Sequence, residues 1–261
     1  MKRMIFAILC LSTMLFSQNL CRTDILKTEP DVSSKELKDR LLKYDFSDIF
    51  TTTPNKFVYG VIGEEMQRFK IKIITVMKSK GKQNKYSVFG KTLRDGKVRE
   101  FSGDIAITSI KEIIYTKEER NLMQNEGYFD MSRVKTTGIL SGNYVFKEYE
   151  QDKESGIFFG SLQSKWFLDE NNKIKYNDLK GYSDGYFNNS FVGFFEKYAS
   201  QNKVIANWAD FRVPNTPCDF DIGAGDFSPS DKYLKNGWED YQKALNENSA
   251  AQEIENKEWW K

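Results

Sequence analysis

No histidine occurs anywhere in the 261 residues, and this absence limits the chemistry more than any motif extends it. Without imidazole there is no Ser-His-Asp or Cys-His nucleophile and no histidine-bearing zinc site. The cysteines are Cys10, Cys21 and Cys218, too few for a four-thiolate centre. Catalysis would have to run on carboxylates, Lys, Tyr or a hard metal ion, and no residue is singled out as catalytic. Asp219, Asp221 and Asp226 fall in one glycine-flexed stretch, DFDIGAGD, and offer the oxygen ligands that Ca²⁺ takes. That stretch has no acidic ligand at Gly223 and no closing glutamate, so aspartates satisfying backbone N–H groups in tight turns are the preferred reading. Ca²⁺ is a secondary expectation. Asp178, Asp184 and Asp210 could supply a glycosidase pair only if two of them face each other across a cleft.

Two segments have the chemistry of recognition. Residues 67–99 hold eleven basic side chains against one acid, Asp95. Arg68, Lys70 and Lys72 alternate with Phe69, Ile71 and Ile73, so the charges share one face of a strand. They form either a docking surface for an acidic protein, a phosphorylated glycan or nucleic acid, or a solvated sheet face, which is the plainer account. Aromatic residues fall on the opposite face, so base stacking is not favoured. The acidic region after Cys218 offers a partner for these charges within the chain. The second segment joins Asp184-Gly185-Tyr186-Phe187-Asn188-Asn189 to Asn207-Trp208-Ala209-Asp210-Phe211-Arg212. Its mixture of rings, amides and charges suits a carbohydrate or protein surface, with Asn188, Asn189, Trp208, Asp210 and Arg212 as contact residues. The competing account is a hairpin whose Trp208 and Phe211 fill the core while Asp210 and Arg212 pair outside.

The elements that position these residues follow from the spacing. Met1-Lys2-Arg3, an apolar run from Met4 to Phe16 and then Ser17-Gln18 have the form of a cleavable secretory signal, too short to span a bilayer. Loss of residues 1–17 removes Lys2 and Arg3 and no acid. The 39 basic residues then fall to 37, equal to the 37 acidic ones, so bulk charge gives no reason to expect nucleic acid or an anionic membrane as partner. No lipid or other stable membrane anchor is expected. Cys21 and Cys218 could pair in an oxidising compartment. Residues 18–54 read as an N-terminal segment with a short helix near 34–44, introduced by a Ser33/Glu36 capping box. Residues 55–214 change to period two, and eight or nine antiparallel strands are expected, with Asp95-Gly96 the clearest hairpin turn. Such a mainly β meander closes as a lipocalin-like barrel or stacks as a sandwich. Lys117-Glu118-Glu119-Arg120 reads as a helical turn within a polar insertion. Residues 215–261 comprise the Asp/Gly-rich loop, a short helix carrying Trp238, Tyr241 and Leu245, and a polar tail.

Phe57-Val58-Tyr59-Gly60, Gln67-Arg68-Phe69-Lys70-Ile71-Lys72, Asp184–Phe195, and Asn207-Trp208 through Pro229 resemble an uncharacterised family of exported β-rich proteins of Bacteroidetes-type bacteria. Asp219–Pro229, DFDIGAGDFSP, is the most specific part. The resemblance implies a periplasmic or secreted setting and transfers no activity. Taken together, the residues imply an exported, non-catalytic binding protein for a protein partner (for example a toxin that it neutralises) or an envelope glycan. A small-ligand barrel and a carboxylate-based glycan hydrolase are the alternatives. Mass spectrometry of exported protein should find the mature chain beginning near Gln18, within a few residues; retention of Met1–Ser17 would refute the leader.

Overall fold

Side chains that alternate between apolar and charged turn into sheet from Val58 onward. The computed structural model describes residues 20–21, 31–127, 129–150 and 152–261; the expected leader, 1–17, lies outside them. Eight strands form the body: β3 (Val58–Ile62), β4 (Gln67–Lys78), β5 (Lys85–Arg94), β6 (Lys97–Ile113), β7 (Val134–Glu148), β8 (Gly156–Asp169), β10 (Asn188–Lys197) and β11 (Lys203–Asp210). Each pairs antiparallel with the next, β10 pairs with β8 as well as β11, and β11 pairs with β3, so the hydrogen bonding closes into a ring. Closure removes the exposed edges that a long meander would otherwise present. Short strands flank the ring: β2 (Val32–Glu36) lies on β6, and β9 (Ile174–Tyr176) on β8. The Asp95-Gly96 turn takes φ 51° and 70°, the two left-handed residues that a two-residue hairpin needs to match strand twist.

The ring encloses side chains, not space. Trp208 lies at the centre with Phe191 stacked 4.7 Å away and Tyr144, Phe69 and Phe158 edge-on at 5.1, 6.0 and 6.1 Å. Interior glycines make room for these rings. A Cβ at Gly60 would stand 2.8 Å from the Phe69 ring, and one at Gly90 2.4 Å from Phe101. At the end bearing the turns 95–96 and 149–155, Arg94 and Glu148 form a buried ion pair of 2.7 Å, and Thr92 donates to the same carboxylate at 2.5 Å. The opposite end is plugged by the chain before β3. There α1 (Lys38–Leu41) and the 3-10 turn Ser47–Phe50 insert Leu37, Leu41, Phe46, Ile49 and Phe50 into the same core.

Two local expectations need correction. The 34–44 helix shrinks to α1, because Glu36 does not cap it from Ser33. Its carboxylate instead accepts from Ser109 Oγ and the Ile110 and Lys38 N–H groups, which ties β2 to β6. The capping box occurs at Thr116 and Glu119, opening α2 (Lys117–Glu126) where the helical turn is expected. The polar tail also contains a second helix: α3 (Glu239–Leu245) is followed by α4 (Ser249–Asn256), capped by Asn248, which accepts from the Ala251 N–H. Tyr59 and Val61 point out of the ring, and the C-terminal segment covers them with Phe220, Phe227, Tyr233, Trp238 and Tyr241. Cys218 is disulfide-bonded; beside it β1 (Leu20–Cys21) pairs with β12 (Thr216–Pro217), setting Cys21 opposite Thr216. No helix among the described residues is long and apolar enough to cross a membrane.

Trp208→Ala should cost about 3–5 kcal/mol, the range for emptying a large aromatic site in a packed core, read from the shift of a urea unfolding curve. A loss under about 1 kcal/mol would mean the interior is not packed as described.

Candidate functional site

The segments 184–189 and 207–212 do meet, at the plugged end of the ring, but they divide into an inner and an outer set. The inner set is built on a bulge. The register between β10 and β11 slips between Asn188 and Phe191, and Asn189 takes φ 46°, a left-handed conformation that asparagine tolerates better than most residues. The bulge aims the Asn189 amide inward. Its Oδ1 accepts from Ser164 Oγ at 2.7 Å, and its Nδ2 donates to the Ile49 carbonyl and to Asp210 Oδ2, both at 2.8 Å. Asp210 Oδ2 also accepts from Thr53 Oγ1 at 2.7 Å. Asn188 is buried as well, its Oδ1 accepting from the Lys165 N–H at 2.7 Å and its Nδ2 donating to the Lys165 carbonyl at 3.0 Å. Asn188, Asn189 and Asp210 therefore lock the plug and the bulge, and Trp208 belongs to the core. Burial drives the Asp210 carboxyl up to about 7, although Thr53, Tyr176, Asn189 and Lys72 all act to lower it.

The outer set forms a cleft of about 480 Å³. Phe211 follows β11 with φ 68°, a strained conformation for an aromatic residue, while its N–H donates to the Phe57 carbonyl at 2.7 Å. The turn throws its ring outward, stacked on Phe57 at 5.3 Å and edge-on to Tyr186 at 5.5 Å. The exposed Tyr182, Asp184 and Asp226 form its lip and the buried Tyr59, Phe227 and Tyr241 its floor, with Asp184 Oδ1 3.4 Å from where a Cβ on Gly225 would lie. Arg212 anchors the loop that carries Asp226. Its guanidinium is 1% exposed, pairs with Asp221 at 2.6 Å, and donates to the Gly223, Ala224 and Gly225 carbonyls. It does not pair with Asp210. The loop after Cys218 is thus wrapped around one buried cation. Asp221 also accepts from the Gly223 and Ser228 N–H groups, both at 3.1 Å.

The other singled-out residues are accounted for separately. Asp219 faces away to Lys232 Nζ at 2.8 Å and Tyr233 Oη at 2.9 Å, and Asp226 stands exposed on the lip. The three aspartates do not converge, and no cluster of three or more metal-binding side chains occurs among the described residues. The basic stripe is covered by the C-terminal helix. Arg68 makes a two-pronged pair with Glu255 at 2.8 and 2.5 Å, and Lys70 reaches the same carboxylate at 3.4 Å. Burial pushes Glu255 up, but these two cations outweigh it and hold its carboxyl below the usual range. Lys72 lies over the Trp260 ring at 5.5 Å. Asp178, Asp184 and Asp210 line three different cavities: Asp178 a cleft of about 550 Å³ with Phe129 and Phe167, Asp184 the aromatic cleft, and Asp210 a void of about 20 Å³ beneath the plug.

Sequence reading passed over Phe57, Tyr182 and Tyr241 as cleft residues. Phe57 and Tyr241 reach the site only through long-range folding, and no spacing rule points to either. The aromatic-rich run YSDGYF, 182–187, was a local signal for Tyr182.

Asp210 should make stability pH-dependent. Its folded pKa, about 7, exceeds the ordinary 3.8, so the native state keeps a proton that the unfolded chain releases. Its contribution is fully present below about pH 4 and is lost as pH rises through 7. Asp210→Asn should keep the acceptor for Thr53 and Asn189, flatten this part of the urea-unfolding pH profile, and equal or exceed the parent in stability at pH 8. An unchanged slope between pH 4 and 8 would rule this out. Comparisons with family models, with curated proteins and with solved structures return no match for this chain.

Proposed function

We propose that the mature chain is an exported binding protein that takes a glycan of the cell envelope into the aromatic cleft, by contact and without turnover. The observation that carries this reading is the pairing of half-buried rings with free carboxylates on one concave surface. Phe57, Tyr186 and Phe211 present apolar faces, and Asp184 and Asp226 stand exposed at the lip. A pyranose ring offers C–H groups to such faces and hydroxyl donors to such carboxylates, and cleft volume and lining match small-ligand sites generally. Arg212 fixes the loop that carries Asp226 before any ligand arrives, which lowers the ordering cost of binding. The disulfide at Cys218 supports an oxidising compartment, in keeping with the leader-like N-terminus.

The geometry favours this reading over the others drawn from sequence. A toxin-binding surface rested on Arg68, Lys70 and Lys72, and two of those cations are already paired with Glu255. A small-ligand barrel needs a hollow interior, whereas rings around Trp208 fill this one. Of the acids that sequence offered to a two-carboxylate hydrolase, Asp178, Asp184 and Asp210, no two line the same cavity; Asp184 shares its cleft with Asp226, and both stand exposed at the rim.

Titration calorimetry of the mature protein against neutral envelope-type oligosaccharides should give saturable binding. Tyr182 is 43% exposed, so Tyr182→Ala should leave thermal unfolding unchanged and weaken binding about tenfold, equivalent to about 1.4 kcal/mol. Equal affinity in parent and variant, or no heat with any neutral oligosaccharide, would overturn the assignment.

A further inference from the structure

A second concavity, of about 380 Å³, lies on the other side of the 51–57 segment, between Thr51–Lys56 and the C-terminal tail. Its charges do not balance. Three cations line it, Lys56, Lys72 and Lys257, with two carboxylates, Glu255 and Glu258. Both acids are committed elsewhere, Glu255 to Arg68 and Lys70 and Glu258 to Lys261. Among the described residues, none of the three lysines has a carboxylate at ion-pair distance. Lys72 is the most confined of them. It rises from β4, lies against the Trp260 indole, and lines both this groove and the small void above Asp210. Burial lowers its pKa, and Asp210 and Glu258 act only at longer range to raise it. A half-buried ammonium facing an open groove without a close counter-charge favours an anion there.

The rest of the wall narrows the anion's identity. Trp260 supplies an aromatic surface. The Thr51 and Thr52 hydroxyls both donate to the Asp48 carbonyl, leaving oxygen lone pairs that can accept hydrogen bonds. Inorganic anions use neither feature, and the volume is in the range for a small organic ligand. We infer that this groove is a second binding site, for a sugar bearing an anionic group, a carboxylate or a phosphate, with Lys72 as its main charge partner and Trp260 and the threonines contacting the ring. The inference does not depend on the aromatic cleft, whose lip is acidic and suits neutral sugars.

The test uses the five tryptophan indole N–H signals of the mature protein, with Trp260 assigned by Trp260→Phe. Glucuronate, glucose 6-phosphate, glucose and inorganic phosphate are titrated at constant ionic strength. A saturable shift of the Trp260 signal is expected with glucuronate, glucose 6-phosphate or both, the responding acid naming the anionic group, and none with glucose. Lys72→Gln should weaken that binding about tenfold with the other indole signals in place. Should Lys72→Gln disturb those signals, exposed Lys56→Gln serves instead, with about a threefold loss expected. Binding of glucose or inorganic phosphate as tight as that of the acids would overturn the proposal. So would no shift up to about 10 mM, well above the millimolar affinity of a minimal ligand, or unchanged affinity in the lysine variants. Tyr182→Ala should leave these titrations unaltered, so failure here and failure of the cleft assignment are separable.

Discussion

Closing a meander of eight long strands solves one problem and creates another: no edge remains exposed, but the enclosed volume must be filled and both mouths sealed. Here the middle is filled by the rings in contact around Trp208. Neither mouth can be sealed by apolar side chains alone, because strand ends and turns carry backbone groups that need partners. At one mouth the buried Arg94–Glu148 pair takes up those demands, with Glu148 also accepting from the Gly156 N–H at 3.1 Å. At the other the chain supplies a plug, and Asn189 and Asp210 hold it by bonds to the Ile49 carbonyl and the Thr53 hydroxyl. Further clamps secure the same segment: Asn55 Nδ2 donates to the Ile71 carbonyl at 2.7 Å, Lys78 to the Leu42 and Tyr44 carbonyls, and the Phe46 N–H to Tyr86 Oη at 3.2 Å. The two surface concavities are by-products of this sealing.

Outside the ring, a similar economy governs charge. The C-terminal segment covers the outward face of β3 and β4, which carries both apolar and cationic side chains. Tyr59 and Val61 require rings to bury them; Arg68 requires a carboxylate. Trp238 and Tyr241 meet the first need, and Arg68 also lies over their rings at 4.9 and 5.4 Å. Glu255 meets the second. An ion pair so nearly buried contributes little net stability, because desolvation offsets most of the attraction. Its effect is to fix where α4 lies, since removing either partner would strand a charge.

The period-two pattern made the strands legible, and with them the side each residue faces: Phe69, Ile71 and Ile73 inside, Arg68, Lys70 and Lys72 outside. Asp95-Gly96 was legible because its backbone angles are a property of two residues. Ser33 and Glu36 misled because a capping box is a local rule, and Glu36 is claimed by Ser109 and Ile110 some seventy residues away. The second helix of the tail escaped because α4 is short and buries only Ala251, leaving Ile254 exposed, and its anchor, Glu255, reads as one more surface acid. Asp210 and Arg212 were marked as notable, but their partners were not those a hairpin would give. Arg212 follows a left-handed Phe211, which turns it away from Asp210 and into the aspartate loop. No sequence rule announces that reversal, because an aromatic residue rarely adopts it.

That reversal also explains why the two surfaces belong together. Phe211 can hold its left-handed conformation because its N–H is tied to the Phe57 carbonyl and its ring is stacked on Phe57. Phe57 lies at the end of the same segment that carries Thr53, which seals Asp210, and Lys56, which lines the basic groove. One stretch of seven residues, 51–57, therefore forms the rim of the plug, one wall of the aromatic cleft and one wall of the groove. A ligand in either concavity would press on a segment whose position is set by Asp210 and Asn189 from within. The buried carboxyl is thus the point through which the interior determines the shape of both surfaces. Its conservative amide replacement preserves that geometry, whereas loss of its hydrogen-bond acceptor would loosen both walls at once.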